Sequence, residues 1–199
     1  RGRSRVALSV VGGLLFGACA MLSYGLVLLA VVPLVVASAR RAVDVLVEAA
    51  ATAGAVLIGV ALAGFWWIDG LLATRDRYFA GIASRRPYEL FLLVNFAIVA
   101  IAVGPAIAVA LARLRNRSVW LLVGGALAAL VLADLSGMSK SEVERIWLPF
   151  FPFVMLSAGV FGSRNRGRRP LPSLDAMTGW LVLQGCAAIL LETVVRTAW

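Results

Sequence analysis

The residues best suited to chemistry lie in one polar stretch, Asp134–Phe150 (DLSGMSKSEVERIWLPF), between two long apolar segments. This stretch contains three carboxylates, one lysine and one arginine. A carboxylate can act as a general base toward a hydroxyl, and a cation can stabilise a leaving phosphate. Because most other charges lie in short basic loops, we expect any site to involve this stretch.

The residues of the stretch differ in what their spacing indicates. Ser139–Glu142 matches a capping box, which gives Glu142 the role of a helix cap. Glu144 is not used by that cap. Arg145 precedes an apolar run, so it either anchors the helix at the membrane interface or binds a lipid phosphate with its guanidinium fork. Asp134 is either a helix-terminal residue or a contact to a sugar hydroxyl or a phosphate-bridging cation.

Composition places the chain in a membrane class. It is 62% hydrophobic, with a mean hydropathy of +0.95, and several apolar runs reach the roughly 20 residues that cross a bilayer. The net charge of +9 comes from arginines clustered between apolar segments, which indicates topology signals and a lipid bilayer as partner, with no nucleic acid. Without histidine, the chain offers no histidine base or ligand. No metal site or cofactor is evident, although a divalent cation is compatible with phosphate chemistry.

The apolar runs predict an all-α transmembrane helix bundle. Val6–Ala39 would form a helix of about 50 Å against a hydrocarbon core of about 30 Å, so we expect the chain to fold back at Ser23-Tyr24-Gly25. The other predicted passes are Ala42–Trp67, Leu90–Ala112, Ser118–Ala133, Ile146–Phe161 and Leu181–Val195. Within Ala42–Trp67, the glycines at 54, 59 and 64 predict close helix packing.

These runs give six to seven passes, the first two short or a hairpin, in a single transmembrane domain over residues 1–199. Because the chain begins with Arg1, we expect it to be the C-terminal part of a longer polytopic protein.

The distribution of basic residues predicts a sidedness. With the fold-back, twelve Lys and Arg residues share one side and seven lie on the other, whereas a single first pass would give ten and nine. The fold-back obeys the positive-inside rule. It places the loops 66–89 and 134–145 together on the extracytoplasmic face of the cell membrane.

The loop 66–89 supplies further candidate ligands. Apolar residues recur at helical spacing between Ile68 and Ile82, which predicts an amphipathic helix in the interface. The charged candidates for binding a lipid phosphate or another substrate group in this loop are Asp69, Arg75, Arg77, Arg85 and Arg86.

Three segments resemble a known family. GFWWIDGLLATRDRYFAGIASRRPY, DLSGMSKSEVERIWLPF and GGLLFGACAMLSYGLVLLAVVPLVV resemble the C-terminal part of actinobacterial integral membrane proteins that are similar to GT-C superfamily glycosyltransferases. The resemblance implies sugar transfer from a polyprenyl-phosphate donor to a cell-envelope acceptor on the outer face. In that family the key acidic residues lie in the first extracytoplasmic loop, which we expect to precede Arg1. No residue is therefore assigned as the catalytic base, and the chain's cations are the candidates for stabilising the leaving phosphate.

Two other functions are compatible with the same composition. A transporter or flippase for a lipid-linked substrate predicts polar residues in mid-membrane and internal repeats. Asn95 and Gln184 are the main polar residues within predicted passes, and no clear repeat is present. A non-catalytic membrane scaffold is the third hypothesis.

Overall fold

The computed structural model describes residues 2–140, 143–161 and 174–194, and every regular element among them is helical. The α-helices are α1 (Gly2–Leu22), α2 (Val31–Arg40), α3 (Val43–Leu62), α4 (Trp67–Ala80), α5 (Tyr88–Val103), α6 (Pro105–Arg113), α7 (Arg117–Leu135), α8 (Val143–Ile146), α9 (Phe151–Met155) and α10 (Leu174–Val194). Short 3₁₀ segments cover Tyr24–Ala30, Ile82–Arg85, Leu148–Phe150 and Leu156–Phe161. The all-α prediction is confirmed for these residues.

Three of these helices, α1, α3 and α7, are long and apolar enough to cross a membrane. Counting α5 and α6 as one broken span gives a fourth. The shorter apolar helical stretches are Tyr24–Arg40, Leu148–Phe161 and Thr178–Leu191. The helices fit a membrane protein, and the count of six to seven passes stays a prediction.

The first apolar run reverses direction after α1, as the residues at 23–25 predict. Arg5 of α1 forms an ion pair with Asp44 near the start of α3. Near the other end of α1, the carbonyl of Ala20 accepts a hydrogen bond from the Trp67 indole, beyond the end of α3. Helices α1 and α3 therefore run parallel, and α2 returns the chain between them.

Glycines of α1 permit its close approach to α3. A Cβ on Gly13 would lie 2.3 Å from the carbonyl oxygen of Ala49, and a Cβ on Gly17 would lie 2.8 Å from Cβ of Val56. By contrast, a Cβ on Gly54 or on Gly59 would meet no atom within 4 Å. The prediction that the α3 glycines mediate packing is therefore wrong for these two, because they face away from the contact and the small residues that matter belong to α1.

Helix α7 is the central helix and runs antiparallel to α2. Arg40 donates a 3.1 Å hydrogen bond to Ser118 Oγ, and a Cβ on Gly125 would lie 2.9 Å from Cα of Val32. Val123 and Leu130 of α7 are fully buried. The basic residues near Arg40 and the start of α7 form what we call the arginine end: Arg3, Arg5, Arg40, Arg41, Arg113, Arg115 and Arg117.

A sharp bend interrupts the predicted pass at 90–112. Helices α5 and α6 meet at 94° around Gly104, whose φ of 78° is a conformation that glycine adopts without strain. Gln184 of α10 fills the bend: its Nε2 donates to the Val103 carbonyl at 3.0 Å, and its Oε1 accepts from Ala106 N–H at 3.4 Å. The region predicted as one pass is therefore not one continuous helix, and a side-chain amide satisfies backbone groups that the break frees. Whether the two helices form a single pass stays a prediction.

Candidate functional site

A cleft lies at the end of the bundle opposite the arginine end. We call this end of the molecule the cleft end. It encloses about 590 Å³ and is formed by four separate segments of the chain. Its lining residues are Met21, Leu22, Ser23, Tyr24, Gly25, Val27, Leu28, Phe65, Trp67, Leu71, Thr74, Ala133, Ser136, Met138, Ser139, Ile146, Trp147 and Phe150. The lining is mainly apolar, with a few hydroxyl groups, a composition typical of small-molecule sites.

The first wall of the cleft forms where the chain folds back after α1. The rings of Tyr24 and Trp67 make an edge-to-face contact with centroids 5.0 Å apart. The Trp67 indole also donates a 3.0 Å hydrogen bond to the Ala20 carbonyl. A Cβ on Gly70 would overlap the Tyr24 hydroxyl oxygen, so any larger residue here would displace the Tyr24 side chain. These contacts hold the start of α4 across the end of α1.

The second wall is the loop that follows α7. Tyr88 donates a 2.9 Å hydrogen bond to the Leu135 carbonyl, and Ser136 Oγ both donates to Ala133 and accepts from Met138 N–H. Gly137 has a φ of 67°, which suits a glycine. The loop is thus fixed by local hydrogen bonds, and it places Met138 and Ser139 against the cleft.

Lys140 joins this loop to the chain beyond α4. Its side chain is only 9% exposed, and its Nζ donates to the carbonyls of Ala83 at 3.2 Å and Arg86 at 3.1 Å. Its backbone N–H donates to the Tyr78 hydroxyl at 2.7 Å, and its carbonyl accepts from the Arg86 guanidinium. A buried ammonium is stabilised by such carbonyl acceptors. The loops 66–89 and 134–145 therefore meet, as the sequence predicts.

Asp134 is buried beneath the same loop. Its Oδ1 accepts a 2.7 Å hydrogen bond from Asn95 Nδ2, which also donates to the Ser139 carbonyl at 2.6 Å. Asp134 and Asn95 are 3% and 1% exposed. This geometry gives Asp134 a structural partner, and its contact with a sugar hydroxyl or a cation stays a prediction.

Arg75 and Arg86, two of the predicted arginines, lie against aromatic rings. Arg86 is half-buried and, besides its bond to Lys140, lies over the Phe91 ring at 5.6 Å. Arg75 is exposed and lies 5.6 Å from the Phe79 ring centroid. Lys140 Nζ lies 5.4 Å from the same ring. Of these three contacts, the one between Lys140 and Phe79 joins the end of α4 to the 134–140 loop.

The other predicted site residues are more accessible. Arg77 is exposed and lines a shallow groove with Thr74 and Tyr78, and Thr74 also lines the cleft. Asp69 in the first turn of α4 and Arg85 in the following 3₁₀ turn are both exposed.

Helix α8 carries the remaining candidates. Arg145 is exposed and Glu144 is half-buried, and Arg145 immediately precedes Ile146, which lines the cleft. The proposed cap, Glu142, and its neighbour Ser141 lie outside the described residues. The roles of Glu144 and Arg145 in substrate binding stay predictions.

Sequence reasoning missed the residues that organise this end of the molecule. Lys140, Tyr78 and Asn95 connect segments far apart in the chain, and none was singled out as a site residue. One signal was available, because Lys140 is the only lysine beside 18 arginines. A compact ammonium fits a site made of carbonyl oxygens better than a planar guanidinium does.

The described residues contain no group of three or more His, Cys, Asp or Glu side chains that could hold a metal ion. The involvement of a divalent cation therefore stays a prediction. Comparisons of the chain with protein-family models, with curated proteins and with solved structures find no match.

Proposed function

We propose that the protein is a membrane glycosyltransferase similar to GT-C enzymes, which binds a polyprenyl-phosphate sugar donor at the cleft end. The observation that carries the proposal is the mainly apolar cleft of about 590 Å³ with exposed arginines beside it. An amphipathic ligand with an isoprenoid tail and a phosphate headgroup matches this combination of surfaces. The volume falls within the usual range of small-molecule pockets.

The apolar part of the cleft suits the isoprenoid tail. Leu22, Leu71 and Ile146 contribute aliphatic side chains from three different segments, and Phe65 adds an exposed aromatic ring. Burial of hydrocarbon against such side chains is favourable by about 25 cal/mol per Å² of apolar area. The tail would therefore bind without a specific polar contact.

The phosphate would bind to the exposed guanidinium groups near the cleft. Arg77 lies one helical turn after the cleft-lining Thr74, and Arg145 immediately precedes the cleft-lining Ile146. A guanidinium can donate two parallel hydrogen bonds to phosphate oxygens. Arg86 is less suitable, because it is half-buried.

Sugar transfer also needs a carboxylate to activate the acceptor hydroxyl. In the enzymes that this chain resembles, that residue lies in the first extracytoplasmic loop, and we assign none of the carboxylates described above to the role. A divalent cation bound to the donor phosphate is compatible with the reaction. The proposed contribution of the described residues is to bind and orient the donor.

The proposal places the cleft end on the extracytoplasmic face of the cell membrane. The arginine end then faces the cytoplasm, in agreement with the positive-inside rule. Polyprenyl-phosphate sugars used on the outer face would reach the cleft from the outer leaflet.

A lipid-linked substrate transporter is the second candidate, and the broken pair α5–α6 favours it. Substrate sites of many transporters are formed by the free ends of broken helices near the middle of the membrane. In this protein Gln184 bonds to Val103 and Ala106 at the break. Because these backbone groups are not available to a substrate, the glycosyltransferase remains the preferred proposal.

A transfer assay tests the proposal with the full-length protein in lipid nanodiscs and a radiolabelled polyprenyl-phosphate sugar. We expect Arg77→Ala and Arg145→Ala each to reduce sugar transfer by about tenfold to a hundredfold, because each removes a charge-assisted hydrogen bond worth about 1.5–3 kcal/mol.

The matched control is Arg115→Ala, which removes an exposed arginine from the arginine end. It should transfer sugar at the wild-type rate. Wild-type transfer by folded Arg77→Ala and Arg145→Ala proteins would contradict the phosphate-binding role of both residues.

A further inference from the structure

Helix α4 lies along the cleft without being part of the protein core. None of its residues is buried. Leu71 and Thr74, near its middle, line the cleft. Its mixed sequence, TRDR between apolar residues, also differs from the spanning helices. A helix with little buried surface depends on a few specific contacts for its position, and those contacts lie toward its two ends.

The contacts of the first end involve Trp67. Its indole N–H donates to the Ala20 carbonyl at 3.0 Å, and its ring packs against Tyr24. Gly64, three residues earlier, has a φ of 96°. At a glycine close to a tethered residue, the backbone direction can change with little steric cost.

The contacts of the second end involve Tyr78 and Phe79. The Tyr78 hydroxyl accepts a hydrogen bond of 2.7 Å from Lys140 N–H, and the Phe79 ring lies near both Arg75 and Lys140. Gly81 follows directly after the helix. Each end of α4 thus combines one polar tether with a nearby glycine.

The geometry points to α4 as a lid that controls access to the cleft, with Trp67 and Tyr78 as its two latches. Release of a latch would move Leu71 and Thr74 away from the opposite wall, where Met138 lies. The lid is a property of α4 and the cleft. Only the identity of the ligand, a lipid phosphate, rests on the proposed function.

A thiol placed inside the cleft measures lid opening without any ligand. Val27 lines the cleft and is half-buried, so Val27→Cys serves as the reporter. The native thiols Cys19 and Cys186 are removed by Cys19→Ala and Cys186→Ala. The rate at which a water-soluble maleimide labels the reporter in nanodiscs then follows the fraction of time that the cleft is open.

In this background we expect Tyr78→Phe to raise the labelling rate by about fivefold, the effect of losing one hydrogen bond. Trp67→Phe removes the indole N–H and keeps an aromatic ring against Tyr24, so it should raise the rate similarly. The matched control is Tyr88→Phe, which also removes one hydroxyl bonded to the 135–140 region but leaves α4 untouched. It should leave the rate within about twofold of the parent protein.

Two results would overturn the lid: unchanged labelling in both latch variants, or an equal increase in Tyr88→Phe, which would indicate general loosening of this end. If a latch variant folds poorly, the other latch variant decides, because the two act at opposite ends of α4. A second arm adds polyprenyl phosphate before labelling. Faster labelling in the latch variants without protection by polyprenyl phosphate would support the lid and contradict the proposed ligand.

Discussion

The two ends of the molecule use their positive charges in different ways. At the cleft end, Lys140 and Arg86 donate to backbone carbonyls and hold two loops together. At the arginine end, Arg41 and Arg115 are exposed, and the ion pair between Arg5 and its partner on α3 is about half exposed on both sides. Lys140 and Arg86 are therefore parts of the packed structure, whereas Arg41 and Arg115 act mainly through their charge.

This difference has a physical basis in solvation. A buried cation or amide must be matched by acceptors at fixed positions, because no water replaces a lost partner. An exposed arginine keeps its hydration when a partner is lost, and an exposed ion pair contributes about 0–1 kcal/mol. Removing a polar side chain should therefore lower the free energy of unfolding strongly at the cleft end and weakly at the arginine end.

The largest effect is expected for Asn95→Ala. The substitution removes the amide that donates to Asp134 and to the Ser139 carbonyl, and it leaves two buried acceptors unpaired. Each unpaired acceptor costs about 1–3 kcal/mol, so we expect the free energy of unfolding to fall by about 3 kcal/mol. Denaturant unfolding in detergent micelles measures this loss, and a decrease below about 1 kcal/mol would contradict a structural role for this network.

A smaller effect is expected for Lys140→Met, which keeps the length of the side chain and removes its charge. The variant loses two hydrogen bonds to carbonyls and the contact with the Phe79 ring. We expect a loss of about 2 kcal/mol in the free energy of unfolding. The matched control at the other end is Arg115→Met, for which we expect a change within about 0.5 kcal/mol. Equal losses in the two variants would remove the distinction between the ends.

Among the three variants that remove buried or capping hydrogen bonds, the smallest loss of stability is expected for Asn116→Ala at the arginine end. The Asn116 side chain accepts hydrogen bonds from the N–H groups of Ser118 and Val119 and so caps α7. Loss of an N-cap costs about 1 kcal/mol. Thermal unfolding should place this variant between the parent protein and Asn95→Ala, and a loss as large as that of Asn95→Ala would show that this end is equally dependent on specific bonds.

The sequence predicted those parts of the fold that depend on local composition. Apolar runs located most of the helices, and Ser23-Tyr24-Gly25 marked the reversal after α1. The sidedness that the basic clusters predict stays a prediction. These features follow from hydropathy and from short flexible breaks, which can be read from neighbouring residues.

Contacts between distant segments could not be read in the same way. The sequence predicted one pass over Leu90–Ala112, but α5 and α6 meet at 94°, and Gln184 from the distant α10 bonds to the backbone at the break. The partners of Lys140 lie more than 50 residues away along the chain. For the candidate site, the sequence found the two loops that meet and their charged residues. The cleft between them needed the three-dimensional packing of four segments.

The most direct measurement of the central claim is where a polyprenyl phosphate binds. A photoreactive polyprenyl phosphate would be cross-linked to the protein in nanodiscs, and the labelled peptides identified by mass spectrometry. We expect labelling of the segments 66–89 and 134–150, with competition by unmodified polyprenyl phosphate and a decrease in Arg77→Ala and Arg145→Ala. Labelling that falls on the arginine end, or evenly over the lipid-facing helices without competition, would contradict the account.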